Sequence, residues 1–169
     1  EELDQMLFYL PLAGSAFKKV YYDETLGRAV SKFVAPEDLI VPYYTTDLES
    51  CSRITHVVKM PENDVKKLQA IGFYRNVEVE YGNNQEYSDV SSEKEKLEGI
   101  EPGYDDGEVS LLYEVHCNLD LEGFEDITEN GEPTGVKLPY IVTIDSGSDS
   151  ILAIRRNFKE DDPMRTKTE

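Results

Sequence analysis

The most constraining feature of this sequence is an alternation of side-chain character over residues 111–122. Apolar residues occupy every second position: Leu111, Tyr113, Val115, Cys117, Leu119 and Leu121. The positions between them hold Leu112, Glu114, His116, Asn118, Asp120 and Glu122. Because successive strand residues point to opposite faces, a period of two predicts a half-buried β-strand. It also places His116 on the polar face, where we expect it to be solvated.

Two further strands are predicted after the first one. Residues 136–145 alternate again, and residues 151–157 form a third β-like segment. Pro139 lacks a backbone donor, which favours an edge strand or a bulge. The connecting residues 123–135 and 146–150 are rich in Gly, Ser and Asn. Three successive strands with such connections predict an antiparallel meander.

The segment 10–42 predicts a β-hairpin. Residues 17–22 and 28–34 are β-like, and five residues, 23–27, connect them. Asp23 at the start of this loop and Gly27 at its end suit a turn, since Gly adopts a positive φ without steric cost. Residues 39–41 add a short apolar run that Pro42 ends.

One further strand and two helical segments are predicted in the first half of the chain. Residues 53–60 form the strand, with His56 on its apolar face as a hydrogen-bonded core histidine. Pro61 suits the first turn of a helix that runs to residue 71, and Gly72 suits its C-cap. Its predicted buried stripe contains Val65, Leu68 and Ile71. Residues 1–10 predict the end of another helix, which Pro11 stops.

These elements predict the α+β class, mainly antiparallel β, with one clear helix near 61–72. Residues 76–108 contain eleven acidic and two basic residues, which indicates an acidic linker or surface insertion. It separates a hairpin and helix lobe at 1–75 from the meander at 109–160, and a polar tail follows at 161–169. The abrupt start without Met and the charged end are expected of a piece of a longer polypeptide.

The charge balance limits the partners of this chain. Its 169 residues carry a net charge of −18, so tight binding of a nucleic-acid backbone is not expected. Such acidity suits either a surface past which DNA slides or solubility alone. The two cysteines, Cys51 and Cys117, have no metal-type spacing, which favours a reducing compartment. No apolar run is long enough for a membrane span.

Candidate sites are few. Asp145 and Asp149 flank a Gly as at the start of a calcium loop, but the bidentate Glu that should follow is absent. They are weak metal candidates, and a hairpin turn explains them equally well. Arg155 and Arg156 point to opposite strand faces and are candidates for a subunit interface or for ordinary surface ion pairs. No nucleophile elbow, P-loop or dinucleotide motif occurs, so we predict no enzyme activity, catalytic residue or cofactor.

Several segments resemble portal proteins of tailed bacteriophages, closest to those of P22-like short-tailed phages. They are residues 10–60, LLYEVHCNLDLEGFED at 111–126, GEPTGVKLPYIVTID at 131–145 and ILAIRRNFKEDDP at 151–163. The resemblance covers most of the chain and does not extend clearly to the acidic segment 78–106. None of these segments is a chemical motif, so the resemblance is one of amino-acid sequence and not of a catalytic or binding signature.

The resemblance implies a structural protein of the virion, present in the host cytoplasm during assembly. Portal subunits form a ring, usually a dodecamer, at one capsid vertex, and DNA enters and leaves through its channel as the genome is packaged and ejected. The ring is the head-to-tail connector that docks the terminase, scaffold or capsid proteins and head-completion proteins. This chain would correspond to the outer, wing-like part of such a subunit. The alternative is an acidic metal-binding β-domain or metal-dependent hydrolase, based on Asp145, Asp149 and the acidic run 160–162.

Overall fold

A computed structural model describes residues 2–23, 27–82, 109–128 and 130–168. Two helices, α1 and α2, and seven strands, β1 to β7, lie within these residues. In chain order they are α1 (Glu2–Ala13), β1 (Phe17–Asp23), β2 (Arg28–Val34), β3 (Leu39–Ile40), β4 (Arg53–Pro61), α2 (Glu62–Ala70), β5 (Val109–Leu119), β6 (Leu138–Asp145) and β7 (Ile151–Arg156). A short 3-10 turn, Pro36–Asp38, precedes β3.

The strands form two antiparallel sheets, which confirms the α+β prediction. β1 and β2 make the two-stranded hairpin, and Gly27 has the positive φ expected at its turn. The other five strands lie in the order β3-β4-β5-β6-β7, with every neighbouring pair antiparallel. Strands from both sides of the acidic segment therefore share one sheet, because β4 pairs with β5 along nine residue pairs.

The meander β5-β6-β7 is confirmed, but Pro139 does not mark an edge. β6 lies between β5 and β7 and is buried along most of its length. Pro139 is tolerated there because the pairing with β7 ends at Tyr140 and Arg156, one residue away. Its missing N–H therefore falls beyond the ladder, and its carbonyl accepts a hydrogen bond from the N–H of Asn157.

The core lies where α2 and residues 74–81 cover one face of the sheet. Val65, Leu112 and Leu152 are its most buried apolar side chains. Leu152 is an extra residue in β7, since Thr143 pairs with Ala153 and Ile144 pairs with Ile151. This bulge allows Leu152 and Ala153 to contribute to the same core.

Part of the predicted acidic linker belongs to this core. Val79 is buried, and Val77 and Tyr81 pack against the same cluster. Backbone groups hold this segment in place, because the N–H of Arg75 donates to the carbonyl of Leu152. The rest of the linker, residues 83–108, lies outside the described residues.

Three details of the sequence interpretation were wrong. Ile71 is exposed, because α2 ends at Ala70 and the chain turns away at Gly72, whose positive φ fits the predicted C-cap. α1 continues past Pro11 to Ala13, where the last helical turn tolerates one missing donor. His116 is buried rather than solvated, since the even-numbered face of β5 is the one covered by the hairpin and by β7 side chains.

Both cysteines are free thiols, and burial raises the pKa of Cys117. No described helix combines the length and apolar character that crossing a membrane requires.

Candidate functional site

Pairing across the sheet brings several titratable side chains onto one face. His56 of β4 lies opposite Glu114 of β5, and Glu114 lies opposite Thr143 of β6. His116 is two residues from Glu114 and therefore points to the same side. Ile141 of β6 lies opposite both His116 and Arg155 of β7, so Arg155 points to the same face of the sheet. The result is a buried cluster of polar groups beside the apolar core.

The Glu114 carboxylate is the centre of this cluster. Lys19 Nζ reaches it from the hairpin, 2.5 Å from Oε1. His116 Nε2 lies 3.5 Å and Arg155 Nη2 3.6 Å from the same oxygen. His56 Nδ1 lies 3.9 Å from Oε2. One carboxylate therefore faces two permanent cations and two histidines contributed by four different strands.

The electrostatics follow from burial and from these contacts. Burial alone would raise the pKa of Glu114, but the contacts with His116 and Lys19 outweigh it and hold that pKa below its ordinary value. Burial lowers the pKa of His56 to about 4, and the nearby cations Lys19 and Lys32 act in the same direction. At neutral pH the cluster thus contains a carboxylate, two cations and a neutral His56.

Two buried nitrogen atoms of the cluster have no hydrogen-bond partner among the described residues. They are His56 Nδ1 and Arg155 Nε. The guanidinium of Arg155 instead lies over the ring of Phe73, 4.8 Å from its centroid. Tyr74 closes the cluster from the segment after α2, and burial raises the pKa of its hydroxyl. The side chains of the cluster are therefore mostly buried, with exposed fractions between 10% and 34%.

The side chains of this cluster are better suited to attaching the hairpin to the sheet than to binding a metal ion. Two histidines and one carboxylate are ligands known from iron sites. Here, however, Lys19 and Arg155 occupy the surroundings of the carboxylate, and their positive charges oppose a cation. Within the described residues, no group of three or more His, Cys, Asp or Glu side chains is arranged to hold a metal ion. What the geometry does support is an ion pair that attaches the hairpin to the sheet.

The predicted metal candidates Asp145 and Asp149 lie apart from this cluster, at the β6–β7 turn. The buried Asp145 carboxylate accepts hydrogen bonds from the hydroxyls of Ser110 and Ser148, at 2.8 and 2.6 Å. The backbone N–H groups of Ser148 and Glu80 donate to it as well, at 2.9 and 3.1 Å. Burial opposes its charge, yet these bonds hold its pKa below the ordinary value. Asp149 is exposed with a φ of 54°, as in a turn. The metal role stays a prediction, and the turn explains both residues.

Arg155 and Arg156 point to opposite faces of the sheet, as their adjacent positions in the sequence predict. Arg155 contacts Glu114 on one face, and Arg156 pairs with Glu160 on the other. Both partners lie within the same chain. Their role at a subunit interface stays a prediction.

A cleft of about 380 Å³ lies on the Arg156 side of the sheet. Aromatic and apolar residues line it, together with two arginines and three carboxylates: Phe124, Ile127, Leu138, Tyr140, Phe158, Arg156, Arg165, Glu125, Asp126 and Glu160. Arg165 Nη2 lies 3.5 Å from Asp126 Oδ1, and Arg156 pairs with Glu160. Carboxylates inside the cleft thus already engage both arginines.

Sequence reasoning missed Glu114 and Lys19. The alternation over β5 assigned Glu114 to a solvated face, and Lys19 gave no signal beyond its position in a β-like segment. The one available indication was that His56 and Glu114 both interrupt β-strand patterns with titratable groups. Only the pairing register shows that they face each other.

No protein-family model matches this sequence, and no curated protein matches it.

Proposed function

We propose that this chain is the outer, β-rich part of a portal subunit, in a ring at the capsid vertex through which phage DNA is packaged and ejected. In this role the chain is a structural element of the virion without enzymatic activity. Its partners are neighbouring subunits of the ring, the terminase, and scaffold, capsid and head-completion proteins. DNA passes through the ring without being held by this part of it.

The observation that carries the proposal is the extent of the resemblance within the fold. The segments that resemble portal proteins include the hairpin and every strand of the five-stranded sheet. The likeness therefore involves the whole β-framework and not one isolated loop.

Two physical features are consistent with an assembly component. α1 buries none of its residues, although Leu3, Leu7, Leu10 and Leu12 make it strongly apolar. A helix that is apolar on most sides is normally covered by other protein. The net charge of −18 disfavours retention of a DNA backbone by electrostatic attraction.

Electron microscopy of the full-length protein tests this function. We expect closed rings, and in phage particles a single copy of the ring at one vertex. Antibody labelling against this chain should mark the same vertex in intact particles. A full-length protein that stays monomeric and binds no capsid or packaging protein would refute the proposal.

A further inference from the structure

The hairpin meets the five-stranded sheet at the buried cluster around Glu114. In the described residues β1 and β2 pair with each other and belong to a sheet of their own, separate from β3–β7. Lys19 reaches Glu114 across this boundary through its side chain, at 2.5 Å. α1 packs on the hairpin through the rings of Tyr9 and Phe33, whose centroids are 5.1 Å apart. α1 and the hairpin, residues 2–34, are therefore treated together as the α1–hairpin unit.

The α1–hairpin unit joins the rest of the chain beside His56. The end of β2 and the residue after it, Val34 and Ala35, are buried. The 3-10 turn at residues 36–38 leads from there to Leu39, which pairs with His56 in the ladder of β3 and β4. A movement of the unit about this turn would separate the hairpin from the sheet. It would also open the surroundings of His56 to water.

His56 is poorly accommodated as a cation while the unit is attached. Its side chain is only 11% exposed, and its buried Nδ1 has no hydrogen-bond partner among the described residues. Glu114 Oε2 lies 3.9 Å from this nitrogen, which is too far for a hydrogen bond. The Glu114 carboxylate also faces Lys19 and Arg155 already. A proton on His56 would therefore add a buried positive charge where two cations share one carboxylate.

Charged and titratable groups of several elements surround this contact. They are Lys19 of β1, Lys32 of β2, Glu37 and Asp38 of the 3-10 turn, Glu114 and His116 of β5, Arg155 of β7, and Tyr74 after α2. Burial acts most strongly on His56 and disfavours its charged form. Glu114 opposes this effect, whereas Lys19, Lys32 and His116 reinforce it. The result is a pKa of His56 lowered from 6.5 to about 4.

We propose that the α1–hairpin unit detaches from the five-stranded sheet in mild acid, with His56 as the group whose protonation favours the detached state. Water solvates the imidazolium once the unit has moved away, so the detached state binds the proton more tightly. Acid therefore shifts the equilibrium toward detachment. Glu114 acts with the same sign, because the contacts that lower its pKa include Lys19, which leaves with the hairpin. The inference goes beyond the proposed function and does not depend on it.

The size of the effect follows from the two states of His56. When the imidazole regains its ordinary pKa of 6.5 in the detached state, the equilibrium constant for detachment rises about twentyfold between pH 7 and pH 5. Glu114 adds to the effect only at still lower pH, because its ordinary pKa is 4.5. The range between pH 7 and pH 5 therefore reports on His56.

Amide hydrogen exchange of the whole chain, followed by NMR, tests the inference. A two-stranded hairpin on its own is marginally stable in water, so detachment exposes the amides of β1 and β2. Their protection factors, which are corrected for the intrinsic effect of pH on exchange, should fall about twentyfold from pH 7 to pH 5. Their exchange should depend little on low concentrations of urea, because a local opening exposes little surface. Amides of β6 should be better protected and should respond to urea as global unfolding does.

Paired variants assign the effect to one residue. His56→Gln removes the titrating group and should make the protection of β1 and β2 independent of pH between 7 and 5. His116→Gln is the matched control, because His116 is equally buried on the same face of the sheet and its replacement should leave the pH dependence in place. Lys19→Met should lower the protection of the hairpin at every pH, whereas Lys18→Met alters an exposed side chain on the other face of β1 and should not. The ring signals of His56 in the wild-type chain give a reading that needs no variant, and we expect them to titrate well below pH 6.5.

Several results overturn the inference. Amides of β1 and β2 that exchange with the protection and the urea dependence of β6 would show that the unit does not detach separately. Protection of the hairpin that stays constant between pH 7 and pH 5 would contradict the response to acid. A pH dependence that persists in His56→Gln, or that His116→Gln abolishes, would assign the effect to another group. A His56 ring that titrates near pH 6.5 in the folded chain would remove the driving force.

Discussion

Replacing Glu114 with Gln should destabilise this protein more than replacing any of the cations around it. The Glu114 carboxylate faces Lys19, His116 and Arg155, and its side chain is only 14% exposed. The amide keeps the size of the side chain and removes its charge. Lys19 and Arg155 would then both lose the carboxylate that they share, and the hairpin would lose its ion pair with the sheet.

The magnitude follows from how far each group is buried. Removing one partner from a fully buried pair costs about 3–5 kcal/mol. Because a third of the Arg155 side chain remains exposed, water screens part of the uncompensated charge. We therefore expect Glu114→Gln to lower the free energy of unfolding by about 2–3 kcal/mol. Lys19→Met should cost only about 1 kcal/mol, since Glu114 keeps its contacts with Arg155 and His116.

Urea unfolding at neutral pH measures both values. The chain has eleven Tyr and no Trp, so tyrosine fluorescence and far-ultraviolet circular dichroism are the appropriate probes. The double variant completes a thermodynamic cycle, and we expect a coupling energy of about 1 kcal/mol between Lys19 and Glu114. A Lys19→Met variant that is less stable than Glu114→Gln would refute this account, because it would make the lysine and not the carboxylate the centre of the cluster.

Three further outcomes follow from individual residues. Burial lowers the pKa of His56 from 6.5 to about 4, so the unfolded chain binds more protons than the folded chain between these pH values. The free energy of unfolding should therefore fall by about 1–2 kcal/mol as the pH decreases through this range, and urea titrations of His56→Gln should lose that dependence. Val65→Ala should lower the unfolding free energy by about 2 kcal/mol and Ile71→Ala by less than about 0.5, since only Val65 is buried; equal effects would contradict the described end of α2. Asp145→Asn should lower the free energy of unfolding by about 1–3 kcal/mol. It should also accelerate amide hydrogen exchange at Glu80 and Ser148, whose N–H groups donate to the carboxylate, and unchanged exchange would contradict the role of Asp145 in the turn.

Short-range patterns of the sequence predicted the strands well, because each depends only on nearby residues. The alternation over residues 111–121 located β5, and Asp23 and Gly27 located the hairpin turn. The C-cap at Gly72 followed from the same local reasoning. The predictions failed where the environment of a residue depends on residues that are far away in the sequence. Pro139 suggested an edge because the sequence does not reveal that β7 ends one residue short of it.

The candidate site depended on such distant pairing throughout. His56 and Glu114 lie 58 positions apart, and Lys19 lies 95 positions from Glu114. A titratable residue on one strand face is solvated or buried according to what covers that face. The hairpin covers it here, and nothing in residues 111–121 indicates this. Periodicity could therefore identify the strand, but it could not show that its even-numbered face carries the buried charges.

The buried ion pair also determines which face of the hairpin points outward. Lys19 shares a face with Phe17 and Tyr21, and this face turns toward the sheet, where Glu114 accepts the lysine's hydrogen bond. If the hairpin docked with its other face inward, Val20 would lie opposite Glu114, and the ion pair with Lys19 would be lost at a cost of about 1 kcal/mol. The ion pair thus keeps Val20 and Tyr22 exposed beside α1. The same contact therefore stabilises the fold and sets the orientation of the hairpin on the sheet.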